Sequence, residues 1–136
     1  MNKIKHAGKF LMLAALAFAL AICVVGCATD DGFEVSQVAL DPLAFGGEIT
    51  INGTVTSFSP DDPNFFGVMD TTELLQCGQF DCGAWIMPTL YMGAARPHIA
   101  QGDNVVLTGQ FVSMDGMVTF QVASMDVGNN IMNRLP

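Results

Sequence analysis

The 136-residue chain is 51% hydrophobic and 13% charged, with a formal net charge of −8. Its lysines (Lys3, Lys5 and Lys9) all lie at the extreme N-terminus, so beyond them only Arg96 and Arg134 oppose all thirteen aspartates and glutamates. A chain so poor in cations cannot neutralise a row of phosphates or settle on an anionic headgroup surface, which excludes nucleic acid and acidic lipid as partners.

The first element in chain order is an apolar run. After the lysine-bearing start, Phe10 to Val25 carries no charge and is rich in alanine. A small residue, Gly26, then stands directly before Cys27. A basic segment, an apolar core and a small residue at the far end are the parts of an export signal. Val24-Val25-Gly26-Cys27 resembles the bacterial lipobox. The resemblance implies cleavage between Gly26 and Cys27, a diacylglycerol thioether on Cys27 and acylation of the new amino terminus. Ala28, in place of an aspartate after the cysteine, implies the outer membrane where the source has one. The competing reading is an uncleaved transmembrane helix, since the run approaches the ~20 apolar residues that span a bilayer. Its alanine content and the Val-Val-Gly-Cys at its end favour the lipid anchor. Asp30 and Asp31 beyond the run, with lysines before it, fit export of the C-terminal part.

The expected organisation is a signal peptide over 1–26, a lipidated tether and lead-in over 27–45, a β domain over 46–130 and a tail over 131–136. Residues 27–136 suffice for one domain with one core. Residues 28–34 read as a polar tether, and Val35 to Asp41 as a short strand or a helical turn that Pro42 ends. Ile49, Ile51, Gly53 and Val55 alternate with Thr50, Asn52, Thr54 and Thr56, which predicts a strand over 48–58. Ser59-Pro-Asp-Asp-Pro-Asn64 is a loop by its turn residues. Further strands are predicted over 65–70 and 84–91, the latter with Pro88 at an edge or bulge. The segment up to Gln101 is short and mixed. Residues 104–112 and 117–127 complete the set, joined by Asp115-Gly116, a tight hairpin dipeptide.

Five strands, glycines inside the first and fourth (Gly53 and Gly109), and a small connection between the third and fourth resemble an OB-fold. The resemblance rests on Gly47-Glu-Ile-Thr-Ile-Asn-Gly-Thr-Val-Thr-Ser, Gly67-Val-Met-Asp, Gly102-Asp-Asn-Val-Val-Leu-Thr-Gly-Gln-Phe and Met117-Val-Thr-Phe-Gln-Val. It implies an all-β, five-stranded small barrel similar to exported OB-fold lipoproteins; a small open β-sandwich is the alternative. Tyr91-Met-Gly through Gly102-Asp-Asn-Val-Val-Leu-Thr-Gly is also similar to the periplasmic haem chaperone of cytochrome c maturation. That family attaches haem through a histidine beyond the last strand, and Asp126 to Pro136 contains none, so the haem role does not carry over.

Four groups of residues are candidates for chemistry. Cys77 and Cys82, five apart, are expected to close a disulfide in an oxidising compartment. The spacing is not the Cys-x-x-Cys of redox or haem motifs. A metal-handling alternative would use Cys77 and Cys82 with His98, or the thioethers of Met114 and Met117, which suit cuprous copper. Methionine is more commonly an adaptable packing residue. Asp61 and Asp62 are loop carboxylates without an EF-hand pattern. Trp85 and Tyr91 fall where OB-folds place stacking aromatics, although a core role for Trp85 is the stronger expectation. No nucleophile motif surrounds His98, so no catalytic residue is assigned. The expectation is a lipid-anchored, non-catalytic binding or accessory module of the cell envelope. It needs no cofactor, and its partner is an envelope protein or a small ligand. The alternative is a periplasmic metal- or redox-handling protein.

Overall fold

A computed structural model describes residues 31–82 and 85–136. The predicted signal and Cys27 lie outside the described residues. From Asp31 to Pro136 the chain forms one compact unit. Its elements in order are β1 (Phe33–Glu34), α1 (Val35–Val38), a 3-10 turn (Pro42–Ala44), β2 (Ile49–Phe58), β3 (Phe65–Met69), α2 (Thr71–Cys77), β4 (Met87–Tyr91), β5 (Asp103–Met114), β6 (Met117–Asn130) and a final 3-10 turn (Met132–Arg134).

The sheet runs β1-β2-β3-β4-β6-β5, and β5 returns to pair with β2 from Ile49↔Gly109 to Thr54↔Asn104. That last ladder closes the five long strands into a barrel. All the barrel's pairings are antiparallel except β4 with β6, which run parallel. A three-strand meander closed by a hairpin in this order is the topology of an OB-fold, as the sequence pattern implied. The open β-sandwich alternative is overturned, because two separate sheets would lack the β2–β5 ladder.

Two of the glycines make the closure possible. A side chain on Gly53 would meet Val68 Cγ1 at 2.5 Å and the Met69 carbonyl at 2.8 Å; one on Gly109 would meet the Gln121 carbonyl at 2.0 Å. Gly109 also marks a register shift between β5 and β6. Strands that bend this sharply bring backbones together where no Cβ fits. The β5–β6 turn is equally explicit: Asp115 (φ 51°) and Gly116 (φ 82°) both adopt positive φ, as a two-residue type I′ turn demands.

The main core contains Ile51, Val55, Phe66, Val68, Met87, Leu107, Phe120 and Val122 inside the barrel. Phe111 packs edge-on to Phe120 at 4.9 Å. Ile99, from the irregular connection before β5, is buried in the same core. A second cluster of Met69, Leu74 and Ile131 lies beneath α2.

Several boundaries differ from the sequence reading: β5 and β6 run to Met114 and Asn130, past the predicted ends at 112 and 127. Phe33–Glu34, assigned to the tether, pairs with β2 along the edge that β3 uses further on. Val35 and Val38 of α1 are buried in the main core, so the lead-in segment is part of the domain. The strand predicted from Ala84 begins at Met87. Residues 131–136 are docked: Ile131 is buried, its N–H donates to the Gly102 carbonyl, and Leu135 packs on the second cluster. Helix α2, which the strand pattern does not announce, sits between β3 and β4.

Candidate functional site

The loop after β2 builds itself from its own polar side chains. Ser59 Oγ accepts from the N–H groups of Asp61 (3.3 Å) and Asp62 (3.4 Å), and Asp62 Oδ1 accepts from Asn64 N–H at 2.8 Å. The Asn64 carbonyl then accepts from Tyr91 N–H at 3.0 Å, which ties the loop to the end of β4. These local bonds give the loop a defined shape without a ligand.

Between this loop and the β5–β6 turn runs a groove of about 340 Å³. Phe65 and Leu90, opposite each other on β3 and β4, line it together with Met114 and Met117. Asp62 and Asp115 also line it and supply negative charge. A neighbouring groove of about 290 Å³ shares Ser59, Phe65 and Met117 and adds Phe58, Ile86 and Pro88. The two grooves lie side by side, both more apolar than polar, and meet at Ser59, Phe65 and Met117. Apolar lining with a few charged groups is the usual make-up of a binding cleft.

The predicted candidates divide across this geometry. Asp62, Met114 and Met117 come together in the groove, whereas Asp61 is exposed to solvent in the loop. Met114 and Met117 are direct cross-strand partners, exposed by 41% and 47%. Gln121 Nε2 donates to the Met114 sulfur at 3.4 Å. Trp85 and Tyr91 are half-buried and pack on the main core, which for Trp85 is the stronger of the two expectations, and the phenylalanines that line the grooves include Phe58 and Phe65. The signal for that is the paired phenylalanine of Phe65-Phe66: one ring faces the core and its neighbour faces the groove, as period two requires.

Cys77 and Cys82 are joined by a disulfide that staples the end of α2 to the following loop, with Cα atoms 6.3 Å apart. Among the described residues no three His, Cys, Asp or Glu side chains gather as a metal site would need, and His98 is exposed on the connection before β5. The set of Cys77, Cys82 and His98 therefore does not assemble, because both sulfurs are consumed by each other.

One carboxylate that the sequence motifs do not single out accepts four hydrogen bonds. Asp70, at the N-cap of α2, accepts at Oδ1 from Thr72 N–H (2.9 Å) and Glu73 N–H (3.2 Å), and at Oδ2 from Ser36 Oγ (2.6 Å) and Ser36 N–H (3.3 Å). Burial alone would raise its pKa, but the hydrogen bonds outweigh that and hold it below the ordinary carboxylate value. Glu34 shows the reverse: burial, and then the Asp70 charge, push its pKa up. Asp70 is a structural joint between α1 and α2. The Asp-x-x-Glu spacing of Asp70 and Glu73 before an apolar pair is its sequence signature.

No protein-family model matches the chain, and no curated protein matches it. Among solved structures, the chain is similar to one from the crystal structure of the S. pombe Stn1-Ten1 complex, at 14% identity and a TM-score of 0.42. The alignment covers 64% of this chain and spans 62% of the length of that one.

Proposed function

We propose that this chain is a lipid-anchored, non-catalytic binding module of a bacterial cell envelope, carried on Cys27 and presenting the groove between the β2–β3 loop and the β5–β6 turn to its ligand. The observation that carries the reading is the Val24-Val25-Gly26-Cys27 sequence at the end of a charge-free run, followed within a few residues by the start of a compact barrel. A disulfide between Cys77 and Cys82 supports it, because such bonds persist in oxidising compartments and are rare in the cytosol. Two or more acyl chains at one cysteine hold a protein at a bilayer far more firmly than one. The groove supports a binding role: its walls are apolar, and Asp62 and Asp115 select against anionic ligands.

Metabolic labelling tests the anchor. Labelled palmitate enters the wild-type protein, and Cys27→Ser abolishes incorporation and leaves the longer, unprocessed chain. Equal labelling of the two forms, or recovery of an unlipidated full-length wild type, refutes the reading.

A further inference from the structure

The segment that follows the anchor point exposes apolar side chains. Leu40 is 97% exposed and Leu43 54%, both between β1 and the start of β2, and Phe33, in β1 itself, is 38% exposed. Single exposed leucines are ordinary on protein surfaces. Here three apolar side chains fall in one short stretch, in the part of the chain covalently nearest to Cys27. Phe33 and Phe45 meet edge-on at 5.1 Å, which folds the far end of that stretch back onto its beginning. Asn52 Nδ2 donates to the Asp31 carbonyl, so the point where the chain enters the domain is fixed to β2.

Reach then limits where this stretch can lie. Cys27 and Asp31 are four residues apart, and extended chain covers at most about 3.6 Å per residue, so the lipidated residue stays within about 14 Å of Asp31. The backbone is also suited to a medium poor in hydrogen-bond partners. Pro42 has no N–H, the Ala44 N–H donates to the Asp41 carbonyl (3.1 Å) and the Phe45 N–H to the Pro42 carbonyl (3.3 Å). Each donor a turn satisfies internally lowers the cost of bringing it to the bilayer interface. Asp31, Asp41 and Glu48 lie along or beside the same stretch and favour neutral over anionic headgroups.

We infer that Leu40 and Leu43, with Phe33 contributing, seat the barrel on the neutral headgroup interface of the membrane that holds its lipid. The tether raises the local concentration of bilayer at this face, so a weak insertion suffices to fix the domain's orientation. The inference rests on the Cys27 anchor proposed above and adds to it a second contact.

The test uses the processed, lipid-bearing protein in phosphatidylcholine vesicles. With Cys27 alkylated by lipid and Cys77 bonded to Cys82, Leu40→Cys supplies a lone free thiol for an environment-sensitive fluorophore. The expected result is a blue-shifted emission at position 40, quenched several-fold more by nitroxide-bearing lipids than the same probe at Asp61→Cys, at the other end of β2. Adding Leu43→Asp to the position-40 probe lowers that quenching. Equal, weak quenching at both positions, with palmitate still incorporated at Cys27, overturns the seating while leaving the anchor intact. A blue shift that grows with protein density but not with lipid quencher assigns the patch to a second copy and overturns it as well. Loss of palmitate incorporation from the wild type removes the anchor itself.

Discussion

Asp70 shows how much of this small domain hangs on one side chain. It is buried, ionised and bonded to four donors from two helices, so removing its charge weakens its hold on α1 and on the first turn of α2. Asp70→Asn should destabilise the protein by about 1–3 kcal/mol, the usual cost of leaving buried partners unsatisfied. The pH dependence follows from the sign of the shift. Because the folded pKa is depressed, the stabilisation is complete above the unfolded carboxylate pKa and is lost as pH falls through the folded value. Urea unfolding of wild type and variant should therefore show a constant gap near neutral pH that closes in acid. A gap that widens on acidification contradicts this account. The groove residues are legible in the sequence to different degrees. Met114, Met117 and Asp62 stand out as residue types, but which phenylalanines face outward depends on strand register, and register is fixed only by pairing with neighbours.

At the scale of elements, the strands are legible because alternation is a local signal and β2, β5 and β6 are long enough to display it. Helix α2 is not, because seven residues give barely two turns, too few for a 3.6-residue period to emerge. Its ends carry the information instead: Asp70 caps the start, and Gly78, in the left-handed conformation (φ 73°), closes the end with its N–H on the Leu74 carbonyl. The N-terminal lead-in hides its role for a related reason, since Val35 and Val38 form a single i, i+3 pair in a helix of four residues. Pro88 sits inside β4 at a position that tolerates it. Its register partner is Gly67 on β3, while pairing to β6 begins only at Thr89, so the missing N–H falls where the strand still has a free edge. The disulfide adds a measurable increment at this scale. Closing so short a loop contributes about 2 kcal/mol in the chain-entropy view. Reduction should lower the unfolding free energy by roughly that amount, with the intact mass rising by two hydrogens. Unchanged mass on reduction means the thiols were never joined.

For the whole molecule, the decisive property is the imbalance of charge. The barrel shares its topology with folds that bind single-stranded nucleic acid, yet it offers two arginines and no lysine beyond the first nine residues. One of those arginines, Arg96, lies over the Phe58 ring at 5.5 Å, and its Nη1 is buried. Fluorescence anisotropy of a labelled oligonucleotide should stay flat on addition of the protein at physiological salt, and a saturable rise would contradict the charge argument. The same imbalance directs the search for a ligand toward neutral or basic molecules. Composition alone exposes this property, whereas the groove that would receive such a molecule emerges only when distant strands close on each other.

Arg96 has one more consequence. A protease that cleaves after basic residues finds Pro97 directly behind it and an aromatic ring across its guanidinium, so the bond after Arg96 is shielded twice over. Residues 27–136 hold no lysine, so under the proposed processing an acylated amino terminus would leave this stretch without a primary amine for cross-linkers or biotin esters to attack.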